Sequence, residues 1–199
     1  AINTLKNVDY IAAEDTRHTV ILLKKYDIHK PLLSFHSYSD DRRLQEILQK
    51  LHDGKEVALV SDAGTPGISD PGYVLIKAAI EQGIKIIPIP GSSAFLTALS
   101  ASGLPTHNFI YFGFLPMKKG RKTLLESFRD EERTIVFYES THRIIKTLQE
   151  LALLYPERQL VIARELTKIH EEFVRGTTQE VYEHFKDRSP KGELLVILW

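Results

Sequence analysis

The sequence predicts an α/β protein of two lobes with mostly parallel sheets. Apolar runs typical of strands alternate with helical patterns from one end of the chain to the other, and turn- and cap-forming residues separate them. Such alternation is the pattern of right-handed βαβ units. A proline-containing stretch with little pattern, 103–108, divides the series into a lobe at 1–104 and a lobe at 105–199.

The first lobe opens on residues 1–6, which look like the end of a helix, so the strand expected before that helix is missing from the pattern. Asp15 and Asp70 are placed to cap helices, and Pro71 suits a first helical position. The further elements predicted are a strand at 8–13, a helix at 16–25, a strand at 32–35, a helix at 40–52, a strand at 57–60, a helix at 71–82, a strand at 84–89 and a helix at 93–102.

The second lobe repeats the alternation after the predicted hinge. Thr177 and Glu180 have the spacing of a capping box, which marks the start of a helix. The predicted elements are a strand at 109–113, a helix within 119–130, a strand at 133–138, a helix at 141–154, a strand at 159–164, a short strand near Phe173, a helix at 178–187 and a strand at 193–198.

The composition excludes several classes of protein. Lys and Arg together number 26, as do Asp and Glu, so a polyanion would have to be met by a local basic patch. The chain has no cysteine, which excludes disulfides and thiolate sites, and its eight histidines lack zinc-site spacing, so no metal is predicted. Neither a membrane span nor a signal peptide is recognisable, and we expect a cytoplasmic protein without a membrane partner.

The segment 61–72 is the most informative part of the chain. It reads Ser-Asp-Ala-Gly-Thr-Pro-Gly-Ile-Ser-Asp-Pro-Gly and joins a predicted strand to a predicted helix. Its glycines let the backbone approach a ligand, and ligands of open α/β sheets bind beyond the carboxyl ends of strands. An ordinary connection is the alternative, but the length and order favour a binding loop. Neither GxGxxG nor GxxxxGK[ST] occurs, which disfavours dinucleotide and ordinary nucleoside triphosphate binding.

Four further strand ends carry polar clusters. Taken singly, each cluster is explained by helix caps or exposed ion pairs. Their recurrence at the ends of strands in both lobes favours a ligand site. The clusters are Glu14–Arg17, Pro90–Ala94, Glu139–Arg143 and Glu165–Lys168.

A basic segment, Lys118–Lys122, follows the aromatic residues Tyr111, Phe112 and Phe114. It is either a solvated loop or a contact for a phosphate backbone with stacked bases.

Six motifs together resemble the bacterial small-subunit ribosomal RNA ribose 2'-O-methyltransferases, which belong to the tetrapyrrole methylase superfamily. They cover essentially the whole chain in the family's order. The motifs are Ala13-Glu14-Asp15-Thr16-Arg17, Ser61–Pro66 with Ser69–Gly72, Pro90-Gly91-Ser92-Ser93-Ala94, Gly113-Phe114-Leu115-Pro116, Phe137–Ser140 with His142-Arg143, and Arg164–Lys168 with Glu171-Glu172. The family's opening strand, with its Gly-Thr-Pro-Ile-Gly-Asn-Leu turn, is not matched.

The resemblance implies methyl transfer from S-adenosylmethionine to the 2'-hydroxyl of a cytidine in 16S ribosomal RNA of the small ribosomal subunit. It also implies a homodimer and a cofactor bound in a cleft between the lobes. The cofactor-binding residues it implies are Ala63, Gly64, Thr65, Pro66, Ile68, Ser92, Ser93, Ala94, Tyr138, Glu139, Leu166 and Thr167.

Under this interpretation, the ribose hydroxyl needs a base or a cation that stabilises its alkoxide. The predicted catalytic residues are Lys168, as a desolvated base or as a charged partner, and Glu165, which holds Lys168 or accepts the proton. The rival set is Glu14, Asp15 and Arg17. The predicted RNA contacts are Arg17, Lys118, Lys119, Arg121, Lys122 and Arg143.

Two other functions stay open at this point. One is a methylase of a tetrapyrrole, such as a corrin or porphyrin precursor, on the same scaffold. The other is a non-catalytic RNA-binding module that keeps the fold. The basic segment favours RNA over a tetrapyrrole.

Overall fold

The computed structural model of the chain describes residues 1–36 and 41–199. These residues form two compact units, Ala1–Ser93 and Ala94–Trp199, so the boundary lies earlier than the predicted one at 104/105. The difference is a helix, α5 (Ala94–Ala101), which packs on the sheet of the second unit. Its Ala98 and Leu99 are buried there, because that face of the helix is apolar.

The first unit is a small parallel sheet with helices. Its described elements are α1 (Ile2–Asn7), β1 (Tyr10–Ala13), α2 (Thr16–Lys25), β2 (Leu32–Ser34), α3 (Asp41–His52), β3 (Val57–Val60) and α4 (Tyr73–Glu81). The strand order is β2-β1-β3, and the central strand is buried on both faces, as its apolar sequence predicts. Ala13 pairs with Val60, so β1 and β3 end side by side at one edge of the sheet.

One predicted element of this unit is wrong, and another is shifted at its start. No strand forms at 84–89, where Ile86, Ile87 and Ile89 are exposed. A strand needs a hydrogen-bonding neighbour, which apolar composition alone does not supply. The helix predicted at 71–82 begins instead at Tyr73, with Gly72 as its N-cap. The predicted helix start at residue 40 lies outside the described residues.

The second unit is a larger sheet flanked by helices. After α5, its described elements are β4 (Phe109–Phe114), α6 (Arg121–Ser127), a 3₁₀ turn (Phe128–Asp130), β5 (Thr134–Glu139), α7 (Ile144–Leu154), β6 (Gln159–Arg164), β7 (Glu172–Thr177), α8 (Thr178–Phe185) and β8 (Leu194–Leu198). The strand order is β4-β5-β8-β6-β7.

This second sheet is mixed, which corrects the prediction of mostly parallel strands, while the α/β class is confirmed. β4 and β5 are parallel, but β8 enters antiparallel between β5 and β6, and β7 returns antiparallel beside β6. The connection from β6 to β7 contains no helix, and an antiparallel return is the pairing that so short a connection allows.

The core of the second unit lies on both faces of its sheet. Alternate residues of each central strand enter opposite clusters, because successive side chains of a strand point to opposite faces. Ile135 and Phe137 join the cluster with α6, α7 and α8, whereas Val136 joins the cluster with α5. In the described part of the chain, no helix combines the length and apolarity that a membrane span requires.

Candidate active site

The carboxyl edge of the first sheet brings together polar residues from two strands. Asp15 follows β1 and Asp62 follows β3, and the Asp15 N–H donates to Asp62 Oδ1 over 3.2 Å. Asp15 is the N-cap of α2, as predicted, and accepts the Arg17 N–H at 2.8 Å. These backbone contacts fix where the side chains of this edge stand.

Arg17 and Asp15 form an ion pair at this edge. Arg17 Nε lies 3.0 Å from Asp15 Oδ1, and Arg17 Nη2 lies 2.5 Å from Asp15 Oδ2. Hydrogen bonds from the guanidinium hold the pKa of the Asp15 carboxyl well below its usual range. The side chain of Arg17 is 86% exposed, so a phosphate can still reach it.

His18 completes this edge and was not among the predicted site residues. Its Nδ1 lies 3.0 Å from Asp62 Oδ2, and an imidazole held at Nδ1 by a carboxylate can accept a proton at Nε2. Ligand atoms of Asp15, His18 and Asp62 lie within 4.8 Å of one another, although Asp15 is occupied by Arg17. The signal in the sequence was the position of His18 one turn after the strand end.

The predicted binding loop is folded on itself by Ser61. The Ser61 hydroxyl donates to Ala63 O at 2.8 Å. Asp70 does not cap α4 as predicted, because Gly72 is the N-cap and no side chain makes a cap hydrogen bond there. The Pro71 carbonyl accepts the Gly67 N–H at 3.2 Å. Burial raises the pKa of the Asp70 carboxyl, with the negative charge of Glu14 adding to the effect.

The tip of this loop presents backbone rather than side chains. Ala63 and Gly64 are exposed, and Gly64 has a φ of +67°, a conformation that glycine adopts without strain. A Cβ on Gly64 would stand 3.2 Å from Asp70 Oδ2. Thr65 and Pro66 are half-buried and Ile68 is exposed, so the loop offers both an open backbone and an apolar side chain.

The predicted turn at 90–94 is irregular up to the start of α5. Residues 90–92 are exposed, Ser93 is half-buried, and Ala94 is the first residue of the helix. Ser92 and Ser93 thus lie just before a helix N-terminus, where N–H groups suit an anion or carboxylate.

The end of β6 holds an ion pair on a strained backbone. Glu165 and Thr167 both have left-handed backbone conformations, with φ of 50° and 63°, which cost energy for residues other than glycine and are common at functional sites. Lys168 Nζ donates to Glu165 Oε1 at 2.9 Å and to Glu193 Oε2 at 3.2 Å. Glu193, which directly precedes β8, was not predicted, because it lies far along the chain from Glu165.

The electrostatics of this pair favour one of the two roles predicted for Lys168. Hydrogen bonds to Glu165 and Glu193 raise the pKa of the Lys168 amine. The Glu193 backbone N–H and Lys168 lower the pKa of the Glu165 carboxyl. Lys168 is half exposed and its pKa is raised, which favours the role of a charged partner over that of a desolvated base.

Two predicted cofactor-binding residues at the end of β5, Tyr138 and Glu139, differ in how far their side chains are buried. Tyr138 is half-buried in a row of aromatic rings, stacked on Phe114 at 5.4 Å and edge-on to Tyr111 at 6.0 Å. The Glu139 side chain, in contrast, is fully buried and paired inside the protein. Any cofactor contact at Glu139 would therefore be made by its backbone and not by its side chain. Leu166 is half-buried beside the exposed Thr167.

The basic segment divides into inward and outward side chains. Lys118, Lys119 and Lys122 are exposed, but Arg121 is only 7% exposed and pairs with Glu150. Arg143 is also turned inward, with its Nε 3.1 Å from Glu139 Oε1. These pairings correct the predicted RNA-binding set, because Arg121 and Arg143 are engaged within the protein.

Comparison with known proteins decides the family. A family model described as Tetrapyrrole (Corrin/Porphyrin) Methylases matches residues 1–182. The chain belongs to the tetrapyrrole methylase family. A Thermotoga maritima relative named ribosomal RNA small subunit methyltransferase I is 48% identical over 198 residues, covering all of this chain and 89% of the relative. A Synechocystis relative of the same name is 50% identical over 200 residues, covering all of this chain and 72% of the relative.

Solved structures of tetrapyrrole methylases share the fold. A cobalt precorrin-4 methyltransferase of cobalamin biosynthesis matches with a TM-score of 0.69 at 17% identity, over 99% of this chain and 86% of the other. A uroporphyrin-III C-methyl transferase from Thermus thermophilus, complexed with S-adenyl homocysteine, matches with a TM-score of 0.60 at 20% identity, over 99% and 88%.

Proposed function

We propose that this tetrapyrrole methylase-family chain uses S-adenosylmethionine to methylate the ribose 2'-hydroxyl of a cytidine in 16S ribosomal RNA. The observation that carries the proposal is the identity of 48% and 50%, over the whole chain, to proteins named ribosomal RNA small subunit methyltransferase I. The solved corrin and porphyrin methylases are far less similar, at 17% and 20% identity, and support the fold alone.

The residues of the 61–72 loop fit a cofactor that is contacted mainly by backbone. Gly64 is exposed at φ +67°, where a side chain would fill the space beside Asp70. S-adenosylmethionine, when bound, supplies a methyl group activated by a sulfonium. Ala63, Gly64 and Thr65 would hold it through their backbone.

The chemistry left to the protein is to orient the ribose hydroxyl and to manage its proton. Lys168 stays charged beside Glu165, so it would stabilise the oxygen as the hydroxyl proton passes to solvent. Glu165 would hold the amine in place, since it binds both Lys168 Nζ and the Glu193 N–H. Alignment of the hydroxyl with the methyl group can supply roughly 7–11 kcal/mol of the rate enhancement.

The RNA would be held by Lys118, Lys119 and Lys122, with Arg17 as a further contact. Their side chains are exposed, and Phe114, which is 61% exposed and stacked on Tyr138, offers a ring face to an unpaired base. A ribosomal substrate places the reaction in the cytoplasm, and the family resemblance adds a homodimer to the proposal.

The test is methyl transfer from labelled S-adenosylmethionine to isolated small ribosomal subunits, followed by digestion of the RNA to nucleosides. Label recovered as 2'-O-methylcytidine supports the proposal. Label in another nucleoside contradicts the proposed acceptor. Transfer to a porphyrin or corrin precursor, with none to RNA, would instead support the tetrapyrrole alternative. Subunit binding without cofactor binding would support a non-catalytic RNA module.

A further inference from the structure

Glu139 lies at the centre of a buried polar network at the carboxyl end of β5. Its Oε1 accepts the Ser140 N–H at 2.8 Å and Arg143 Nε at 3.1 Å. Its Oε2 accepts the Thr147 hydroxyl at 2.7 Å and lies 3.6 Å from Arg121 Nη1. Both oxygens are thus satisfied, as a buried carboxylate requires.

The two guanidinium groups of this network also bind the chain just before the basic segment. Arg143 Nη2 donates to Leu115 O at 2.8 Å, and also to Pro116 O at 3.3 Å. Arg121 Nη1 donates to the same Pro116 carbonyl at 3.4 Å. The Glu139 carboxylate therefore connects, through one arginine on each side, to the backbone that leads into Lys118 and Lys119.

The other end of the basic segment is fixed by the same network. Arg121 opens α6, and its guanidinium bonds Glu150 Oε2 through Nε at 3.1 Å and through Nη2 at 2.8 Å. Gly120, the N-cap of α6, has a left-handed φ of +80° that lets the chain turn into the helix. The backbone of the segment is therefore held at Pro116 and at Arg121. The exposed Lys118 and Lys119 lie between these two residues, and the exposed Lys122 follows Arg121.

Stability alone does not account for such an arrangement. A buried ion pair gains little over well-packed apolar side chains, because desolvation of the charges offsets their attraction. What the network does provide is one defined conformation for a short, exposed, positively charged segment. Holding that conformation in advance removes part of the ordering cost that binding would otherwise incur.

We propose that Glu139 is a positioning residue for RNA binding, acting through Arg143 and Arg121 to fix the backbone that presents Lys118, Lys119 and Lys122. The inference rests on the proposed function, since it takes ribosomal RNA as the partner of the three lysines. It also explains why two arginines of the predicted RNA-binding set face inward: they hold the segment that carries the RNA-binding lysines.

The test compares binding of isolated small ribosomal subunits by the wild type, Glu139→Gln and a variant with Lys118, Lys119 and Lys122 all changed to Ala. Glu139→Gln makes the protein more positive, which by charge alone strengthens RNA binding. We expect the opposite: affinity about tenfold weaker, because the segment loses its fixed conformation. In the triple-lysine background the same substitution should change affinity by less than about twofold, because Glu139 acts through those lysines.

Arg143→Gln and Glu150→Gln separate positioning from folding. Arg143→Gln leaves Glu139 paired with Arg121 and frees the Leu115 carbonyl. We therefore expect weaker subunit binding, and we expect the loss to depend on the three lysines as it does for Glu139→Gln. Arg143→Lys controls for the change in charge and should bind as weakly, because an ammonium cannot span Glu139 and the carbonyl as the fork of a guanidinium does. Glu150→Gln releases Arg121 at the other end of the segment and leaves Glu139 paired with Arg143, so we expect a smaller loss than in Arg143→Gln, again dependent on the lysines.

Unchanged subunit affinity in folded Glu139→Gln and Arg143→Gln, or a loss of the same size with and without the lysines, would overturn the positioning role. A triple-lysine variant that binds like the wild type would overturn it too, since no lysine would then need positioning. If the wild type itself does not bind small subunits, the proposed function has failed, and that result is distinct from the first two.

Discussion

Lys168 Nζ lies 2.9 Å from Glu165 Oε1, in an ion pair at the end of β6 where Glu165 itself has a left-handed backbone. Each partner shifts the pKa of the other so that both stay charged. Lys168 is half exposed to solvent, so the contribution of the pair to folding is small. The pair therefore matters chiefly because it holds the positive charge of Lys168 at a defined place.

Substitution of Lys168 tests whether that charge acts in methyl transfer. Lys168→Ala should reduce the single-turnover rate on small subunits by about a hundredfold or more, while the affinity for S-adenosylmethionine, measured by calorimetry, is kept. Lys168→Arg should retain part of the rate, because a guanidinium stays charged. Lys186→Ala is the matched control, since Lys186 also forms an exposed ion pair, with Glu183. A normal rate in Lys168→Ala would move the proton chemistry to Glu14, Asp15, Arg17 and His18.

The pH dependence distinguishes a charged partner from a neutral base. The pKa of Lys168 is raised above the usual 10.5, so its charge is present below that pH and is lost only as the pH rises through the raised value. The pKa of Glu165 is lowered from 4.5, so the pairing is complete above that pH and is lost as the pH falls through the lowered value. We expect the wild-type to Lys168→Ala rate ratio to stay constant between about pH 6 and pH 9. A ratio that climbs tenfold per pH unit would instead identify Lys168 as a base.

Gly64→Val tests the cofactor loop. Valine at φ +67° is strained, and its Cβ would meet Asp70 Oδ2 at 3.2 Å, so we expect cofactor affinity to fall by about tenfold or more. Gly54→Val is the matched control: its φ is +76°, but nothing lies within 4 Å of the added Cβ. Both variants carry the same kind of backbone cost, and only Gly64→Val should lose binding by calorimetry. Equal affinity in the two folded variants would place the cofactor elsewhere.

Local signals in the sequence predicted most of the fold. The cap at Asp15 and the capping box at Thr177 depend on residues a few positions apart, and both are observed. The order of the second sheet was not predictable from local signals, because β8 pairs between two strands that precede it in the chain. The strand at 84–89 failed for the same reason: apolar alternation predicts a strand, but pairing partners come from elsewhere in the chain.

The sequence predicted which strand ends form the site. It did not predict the ion pairs and hydrogen bonds between the residues of the site. Arg121 looks like its lysine neighbours in the sequence, and only Glu139 and Glu150, which follow much later, make it a buried residue. His18 and Asp62 are likewise far apart in the chain and meet because β1 and β3 are adjacent. The sequence therefore shows which residues are charged, whereas the partner that each one binds depends on which distant parts of the chain the fold brings together.

The capping box of α8 offers a test of stability away from the site. The Thr177 hydroxyl accepts the Glu180 N–H at 3.2 Å, and Glu180 Oε2 accepts the Thr177 N–H at 2.8 Å. Thr177→Ala should lower the free energy of unfolding by about 1 kcal/mol in chemical denaturation. Thr177→Ser keeps the hydroxyl and should cost much less, and Thr106→Ala, at an exposed position outside the helices and strands, should cost almost nothing. Equal losses for Ala and Ser at 177 would assign the effect to the missing methyl group instead of the cap.

The salt dependence of small-subunit binding tests which basic side chains bind RNA phosphates. Each bound phosphate releases counterions, so changing Lys118, Lys119 and Lys122 one at a time to Ala should weaken binding and lower the log–log slope against salt by about one unit for each phosphate that is no longer bound. Lys146→Ala is the control, because Lys146 is an exposed lysine of α7 outside the basic segment. Arg121→Lys removes no phosphate contact of its own, since Arg121 is buried against Glu150 and Glu139; by disturbing the segment it should weaken binding only while the three lysines are present. A slope that falls for Arg121→Lys but stays constant for the three lysines would reverse the assignment of inward and outward side chains.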